Sequence, residues 1–167
     1  MMNLAQLNEL TVDEASHIFM QCCTSAAWVA GMVKARPFAD KQDLKTKADI
    51  AWQGLAQADY LEAFEGHPQI GNVETLSAKY ANTKELASGE QSSVSEATKQ
   101  VIESLLQGNA DYLEKFGFIF IVYATGKNAA QMVELLQARL PNDKATELVN
   151  AAEEQRKIFH LRLEKLI

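Results

Sequence analysis

A chain of 167 residues is long enough to form one domain that buries its own core without disulfides or a structural metal. Hydrophobic residues make up 47% and charged residues 23%, the balance of a globular protein rather than of a disordered or membrane-embedded one. The net charge of −6, with basic residues scattered among acidic ones, argues against a nucleic-acid surface, which needs a concentrated basic face.

In chain order, Leu4, Leu7 and Leu10 recur at threefold spacing and predict a short helical turn or packing arm. Asp13 is placed to cap a helix through Ile18 and Phe19 to Cys22. The N-terminus lacks a basic start followed by a long apolar run, so no signal peptide is expected. Cys22 and Cys23 are adjacent and have no other cysteine to pair with, which suits two buried thiols in a reducing, cytoplasmic setting. Thr24 or Ser25 caps the next helix, through Trp28, Val29, Met32 and Val33, which must stop before Pro37.

From Asp40 to Gln57, Leu44, Ala48, Ala51, Trp52 and Leu55 recur at steps of three and four, the signature of an amphipathic helix. Asp59 caps a shorter helix that carries Tyr60, Leu61 and Phe64 towards Gly66. Residues 71–89 are polar and weakly patterned, and read as a connector with at most broken helical turns. Glu90-Gln91 opens a helix through Val101, Ile102, Leu105 and Leu106 that is expected to end at Gly108. Asn109 would cap a short helix with Tyr112 and Leu113.

Residues 116–124 are apolar throughout and rich in β-formers, yet no second such run offers a partner strand. They predict a buried extended segment threaded through a helical domain. Asn128 caps the next helix, with Met132, Leu135, Leu136 and Leu140, which Pro141 stops. Asn142 or Asp143 starts a final helix of roughly twenty residues, on the order of 30 Å long. Its expected apolar face is Leu148, Ala152, Ile158, Leu161 and Leu166. The whole, residues 1–167, reads as a single compact all-α domain. No apolar stretch is long enough to span a bilayer.

Chemistry points to the corner Glu65-Gly66-His67-Pro68-Gln69-Ile70-Gly71. Gly66 offers backbone freedom, and Pro68 pushes His67 out of the helical region, so a helix should end with an imidazole held at a fixed angle. Imidazole exchanges a proton near neutral pH, but on the local residues alone a cap of the preceding helix is the first reading of this histidine and a catalytic role the second. Taken alone, Glu90 reads first as a first-turn acid, Gln91 as a solvated polar residue and Arg162 as an ion pair on a charged helix, with a site role second for each. His17 and His160 read as surface or boundary residues, and the three histidines show no metal-ligand spacing.

Taken together, four blocks carry a resemblance that none carries alone: His67-Pro68-Gln69-Ile70-Gly71, Glu90-Gln91, Phe116-Gly117-Phe118-Ile119-Phe120, and Glu154 to Leu163. In this order and spacing they resemble the family of decarboxylases acting on 2-oxo-4-hydroxy-4-carboxy-5-ureidoimidazoline (OHCU). The resemblance runs from about residue 10 onwards. The family commonly reads Ser-x-x-Glu-Gln, and here Ala87 stands at the serine position. The resemblance implies a homodimer without metal or organic cofactor that converts OHCU to (S)-allantoin in urate degradation.

Under the resemblance His67 is the general acid/base and Glu90 orients it or the substrate hydroxyl. Gln91 meets a ring amide or ureido group, and Arg162 meets a carboxylate or ring carbonyl. The backbone of Phe118, Ile119, Phe120 and Ile121 bonds the substrate ring, and Pro68 contributes shape. The alternative is a non-enzymatic helical interaction module, in which His67, Glu90 and Arg162 have no reason to converge. A hydrolase acting on 5-hydroxyisourate fits less well, since such enzymes are β-rich with several histidines and a distinctive C-terminal tetrapeptide.

Overall fold

The computed structural model describes residues 1–68, Ser77 and 91–167; in 91–97 it describes only the backbone. Among these residues there are eight helices and no strand. They are α1 (Leu4–Glu9), α2 (Val12–Cys22), α3 (Ala26–Lys34), α4 (Lys41–Trp52), α5 (Gln57–Glu65), α6 (Gln91–Phe116), α7 (Ala129–Arg139) and α8 (Lys144–Leu166). The all-α expectation is met. Residues 71–76 and 78–89, in which the connector was expected, lie outside the described residues. None of the described helices is long and apolar enough to cross a membrane.

The chain divides into two units, the first being Met1–His67, Ile121–Tyr123 and Val149–Ile167. Its core gathers Leu7, Phe19, Trp28, Met32, Leu44, Trp52, Phe159 and Leu163, all nearly or fully buried. The Phe159 ring lies 4.9 Å from Trp28 and 5.7 Å from Trp52, centroid to centroid. Each indole finds an acceptor, as a buried N–H must: Trp28 Nε1 donates to the Ala48 carbonyl and Trp52 Nε1 to that of Ala152, both at 3.1 Å.

Several helix starts differ from expectation by a few residues. Thr11, not Asp13, caps α2: it accepts from the Glu14 amide at 3.2 Å, and Glu14 accepts in return from the Thr11 amide at 2.9 Å. Of the two caps expected for α3, Thr24 or Ser25, it is Ser25 that serves. Asp59 lies within α5 and reaches back to the Ala56 amide at 3.1 Å. Helix α4 stops at Trp52, short of Leu55, because the chain turns at Gly54 with a φ of +71°.

The second unit is Pro68–Phe120 and Ala124–Leu148, and α6 packs on α7 within it. Here the expected break at Gly108 is absent: α6 runs unbroken for 26 residues. A Cβ at Gly108 would lie 2.4 Å from Leu136 Cδ2, so the glycine serves close helix approach rather than termination. Asn109 turns back to the Leu105 carbonyl instead of capping a new helix.

Helix α6 ends at Phe116, and Gly117 takes a φ of +79° that admits the turn out of it. Residues 119–124 then run with no helix or strand, as the extended-segment reading expected. Phe118, Phe120 and Ile121 are buried, while Ile119, Val122, Tyr123 and Ala124 are half-buried, so the run is not enclosed at every position.

Asn128 caps α7 in a capping box with Gln131, and Asp143 caps α8 by accepting from the Thr146 amide at 2.7 Å. The inward stripe of α8 corrects the expected one. Leu148, Ala152, Ile158, Leu161 and Leu166 are only half-buried. The fully buried positions are Glu147, Ala151, Gln155, Phe159 and Leu163, at strict four-residue steps.

Candidate active site

His67 follows the end of α5. Its backbone N–H donates to the Phe64 carbonyl at 3.2 Å, which closes the last turn. Gly66 has an ordinary φ of −72°, so backbone freedom is not why glycine stands there. A Cβ at Gly66 would lie 2.1 Å from Thr24 Oγ1 and 2.8 Å from Thr24 Cβ. Thr24 occupies that space because its hydroxyl bonds the carbonyls of Glu62 and Ala63, at 3.1 and 3.2 Å. Glu62 in turn accepts from the Ala26 amide at 2.5 Å. The corner is thus pinned to the segment that leads into α3.

The His67 ring reaches α8: its Nε2 lies 2.5 Å from Gln155 Oε1. Burial lowers the His67 pKa below the ordinary imidazole value; the Gln155 hydrogen bond opposes this, and the positive charge of Arg162 adds to it. At neutral pH the ring is therefore neutral. Its Nδ1 has no hydrogen-bond partner among the described residues.

Arg162 sits two turns beyond Gln155 on α8, half-buried. One end of its guanidinium, Nη1, donates to the Cys22 carbonyl at 3.0 Å. Among the described residues no carboxylate pairs with it, although Lys45, Lys47, Arg139, Arg156 and Lys157 all have acidic partners. A half-buried cation with donors to spare is a receptor for an anion or a carbonyl. Beside it, burial raises the Cys22 thiol to about 11 and the Cys23 thiol to about 12, the Arg162 charge opposing both shifts, so neither is a thiolate nucleophile at neutral pH.

The structure thus brings together His67 and Arg162, and adds Gln155. Gln155 stands in the charged run Glu153-Glu154-Gln155-Arg156-Lys157, where it reads as one more solvated residue. The available signal was its place four residues from both Ala151 and Phe159. Pro68 follows His67 directly and begins the second unit, to which Phe118, Ile119 and Phe120 also belong; Ile121 belongs to the first. Glu90 lies outside the described residues, and Gln91 opens α6 with its side chain outside them.

His160, read from the sequence as a surface or boundary residue, is half-buried and bonds Asp49 at 2.6 Å; Arg156 grips the same carboxylate through Nε and Nη2. Among the described residues, no three histidine, cysteine, aspartate or glutamate side chains gather as a metal site.

Comparison with known proteins adds a further observation. A sequence model of the OHCU decarboxylase family matches residues 8–164. The uric acid degradation bifunctional protein of Arabidopsis thaliana is 34% identical over 145 residues, covering 87% of this chain and 45% of the relative. This chain therefore spans less than half of that relative's length. A 2-oxo-4-hydroxy-4-carboxy-5-ureidoimidazoline decarboxylase of Haloferax volcanii is 27% identical, over 97% of this chain and 94% of its own. A crystal structure of OHCU decarboxylase in the presence of (S)-allantoin superposes with a TM-score of 0.70 at 34% identity, over 89% of this chain and 95% of that one.

Proposed function

Because the chain belongs to the OHCU decarboxylase family, we propose that it removes the C4 carboxylate of OHCU and yields (S)-allantoin in urate degradation. The observation that carries this reading to named residues is a neutral, half-buried imidazole within reach of the charge of an arginine that has no carboxylate partner among the described residues. An interaction module has no need of that pairing.

Loss of carbon dioxide breaks the bond between C4 and the carboxylate carbon and leaves its electron pair on the ring. The pair is delocalised over the adjacent unsaturated carbon and nitrogen, and the C4 hydroxyl becomes the carbonyl of the product. The ring nitrogen that takes up the pair gains a proton, one proton leaves that hydroxyl, and one reaches C5 on one face to set the stereocentre, so that one proton is consumed overall. His67 is the general acid/base of this sequence: a neutral ring accepts the hydroxyl proton and can return one. Arg162 holds the departing carboxylate or a ring carbonyl with its spare donors. From the resemblance alone, Glu90 is assigned as the orienting carboxylate, Gln91 as the ring-binding amide, and Pro68 and the backbone of 118–121 as further substrate contacts.

This reading treats the whole chain as one functional unit, supported by a family match that runs from residue 8 to 164. It takes the active form to be a homodimer without metal or organic cofactor, which sedimentation equilibrium tests. A cytoplasmic setting agrees with two buried free thiols.

Time-resolved circular dichroism on freshly generated OHCU decides the activity. Faster decay to optically pure (S)-allantoin in the presence of the protein is the expected result. An unchanged rate with racemic product would overturn the reading.

A further inference from the structure

We infer that Gln155 is a positioning residue: its amide oxygen holds the proton of neutral His67 on Nε2 and so leaves Nδ1 as the basic nitrogen of the site. The inference rests on the decarboxylase reading only for its catalytic consequence; the tautomer itself is a property of the folded chain.

An amide oxygen has lone pairs and no hydrogen, so across 2.5 Å it can only accept, and the ring nitrogen facing it must carry the proton. A neutral imidazole has one N–H, which puts the lone pair on Nδ1. That nitrogen has no partner among the described residues, as a proton acceptor awaiting substrate should.

Gln155 cannot itself be a contact residue, because it is 0% exposed. It lies on the buried stripe between Ala151 and Phe159, where an aliphatic side chain would pack at no polar cost. Its Nε2 is buried without an acceptor among the described residues, so the oxygen's bond to His67 is the single polar contact the amide makes there. The opposite amide orientation would set Nε2 against the ring, move the ring proton to Nδ1 and strand the oxygen instead. The two orientations therefore give opposite basic nitrogens, and the ring reports which one holds.

Other restraints keep the ring where this matters. The Gly66–Thr24 contact and the Phe64 carbonyl fix the backbone, while burial and Arg162, whose charge bears on the ring, favour the neutral form.

The test is nitrogen-15 NMR of the ¹⁵N-histidine-labelled full chain, at a pH where His67 is neutral. The wild type should show Nε2 protonated and its hydrogen protected from solvent exchange. Gln155→Leu, which keeps the volume and removes the acceptor, should lose that protection and let the ring sample both tautomers. Gln155→Glu, which restores an acceptor oxygen, should recover the protected Nε2–H. A wild-type ring protonated on Nδ1, or an unchanged protected signal in Gln155→Leu, would overturn the inference.

In turnover, Gln155→Leu should lower kcat by roughly ten- to a hundredfold with KM within about twofold, since it removes tautomer control and no substrate contact. Gln155→Glu should keep the Nε2 proton in place but, by its charge, favour the doubly protonated ring, so its acid limb of kcat/KM should move to higher pH than that of the wild type. If even the wild type fails to turn over OHCU, the decarboxylase reading falls while the spectra still decide the tautomer.

Discussion

In the second unit Glu147 is fully buried, and its carboxylate is met by the Tyr112 hydroxyl at 2.6 Å, Arg139 Nε at 2.7 Å and Asn142 Nδ2 at 3.0 Å. Arg139 also donates to the Tyr112 hydroxyl, and its guanidinium lies 4.6 Å from the centre of the Phe120 ring. In the first unit Gln155 is equally buried, yet only its oxygen is met, and by a histidine. Both residues lie on the same stripe of α8. The first arrangement is closed: its charge is balanced and its carboxylate is bonded at both oxygens, which lets it brace the Phe116–Phe118–Phe120 turn. The second is open, leaving a buried donor unused at a cost of about 1–3 kcal/mol. The proposed role of His67 gives a reason for an open arrangement to persist here. Burial alone does not distinguish a strut from a site; the completeness of the hydrogen bonding does.

The comparison breaks most sharply at its two centres. Replacing His67 with Asn should lower kcat/KM by roughly 10²–10⁴ while costing only about 1–3 kcal/mol of the stability measured in urea, the loss of the partner of the buried Gln155 oxygen. Replacing Glu147 with Ala should do the reverse. It removes the buried carboxylate on which Tyr112, Arg139 and Asn142 converge and costs roughly 3–5 kcal/mol of stability in the same assay. A Glu147→Ala protein as stable as the wild type would show that the closed cluster is no strut.

A smaller effect tests the open side further. Arg162→Met keeps much of the side chain's volume and removes the fork, so KM for OHCU should rise about ten- to a hundredfold, the range of one charge-assisted contact. An unchanged KM would remove Arg162 from substrate binding.

The gentlest probe is pH. His67 is held below its ordinary value of 6.5 by burial and by Arg162. Below that value the unfolded chain takes up the proton more readily than the folded one. The His67 contribution to stability therefore weakens as pH falls from 6.5 towards the lowered pKa. Over the same window the folded ring stays a base, so the acid limb of kcat/KM should lie below pH 6.5. A limb at or above 6.5 would mean that another group titrates or that the ring is more exposed to water than the structure has it.

Much of this was legible in the sequence. Helix identity followed from apolar periodicity, and the end of α5 before Pro68 from the proline, while Gly66 answers to Thr24 rather than to backbone freedom. The places where sequence and structure part are instructive. Gly108 reads as a stop, since glycine ends many helices, but its missing side chain answers to Leu136, which lies 28 residues away in the chain. Asp13 reads as a cap, yet Thr11 wins because Glu14 reciprocates three residues on. Gln155 was hidden because composition marks Glu153 to Lys157 as a solvated face, while the four-residue step through Ala151, Phe159 and Leu163 turns one of those five residues inward. Such partners are set by tertiary distance, which local pattern does not encode. The roles of Glu90 and Gln91 came from resemblance, and both side chains lie outside the described residues.

The anchoring of Arg162 on the Cys22 carbonyl has a practical consequence. The adjoining thiols are buried and held protonated, at about 11 and 12, so alkylating reagents can reach them only when this part of the chain opens. Their rate of modification is then a clock for the excursions that release the arginine from its seat. Run with and without (S)-allantoin, that clock would report whether the proposed product slows those excursions.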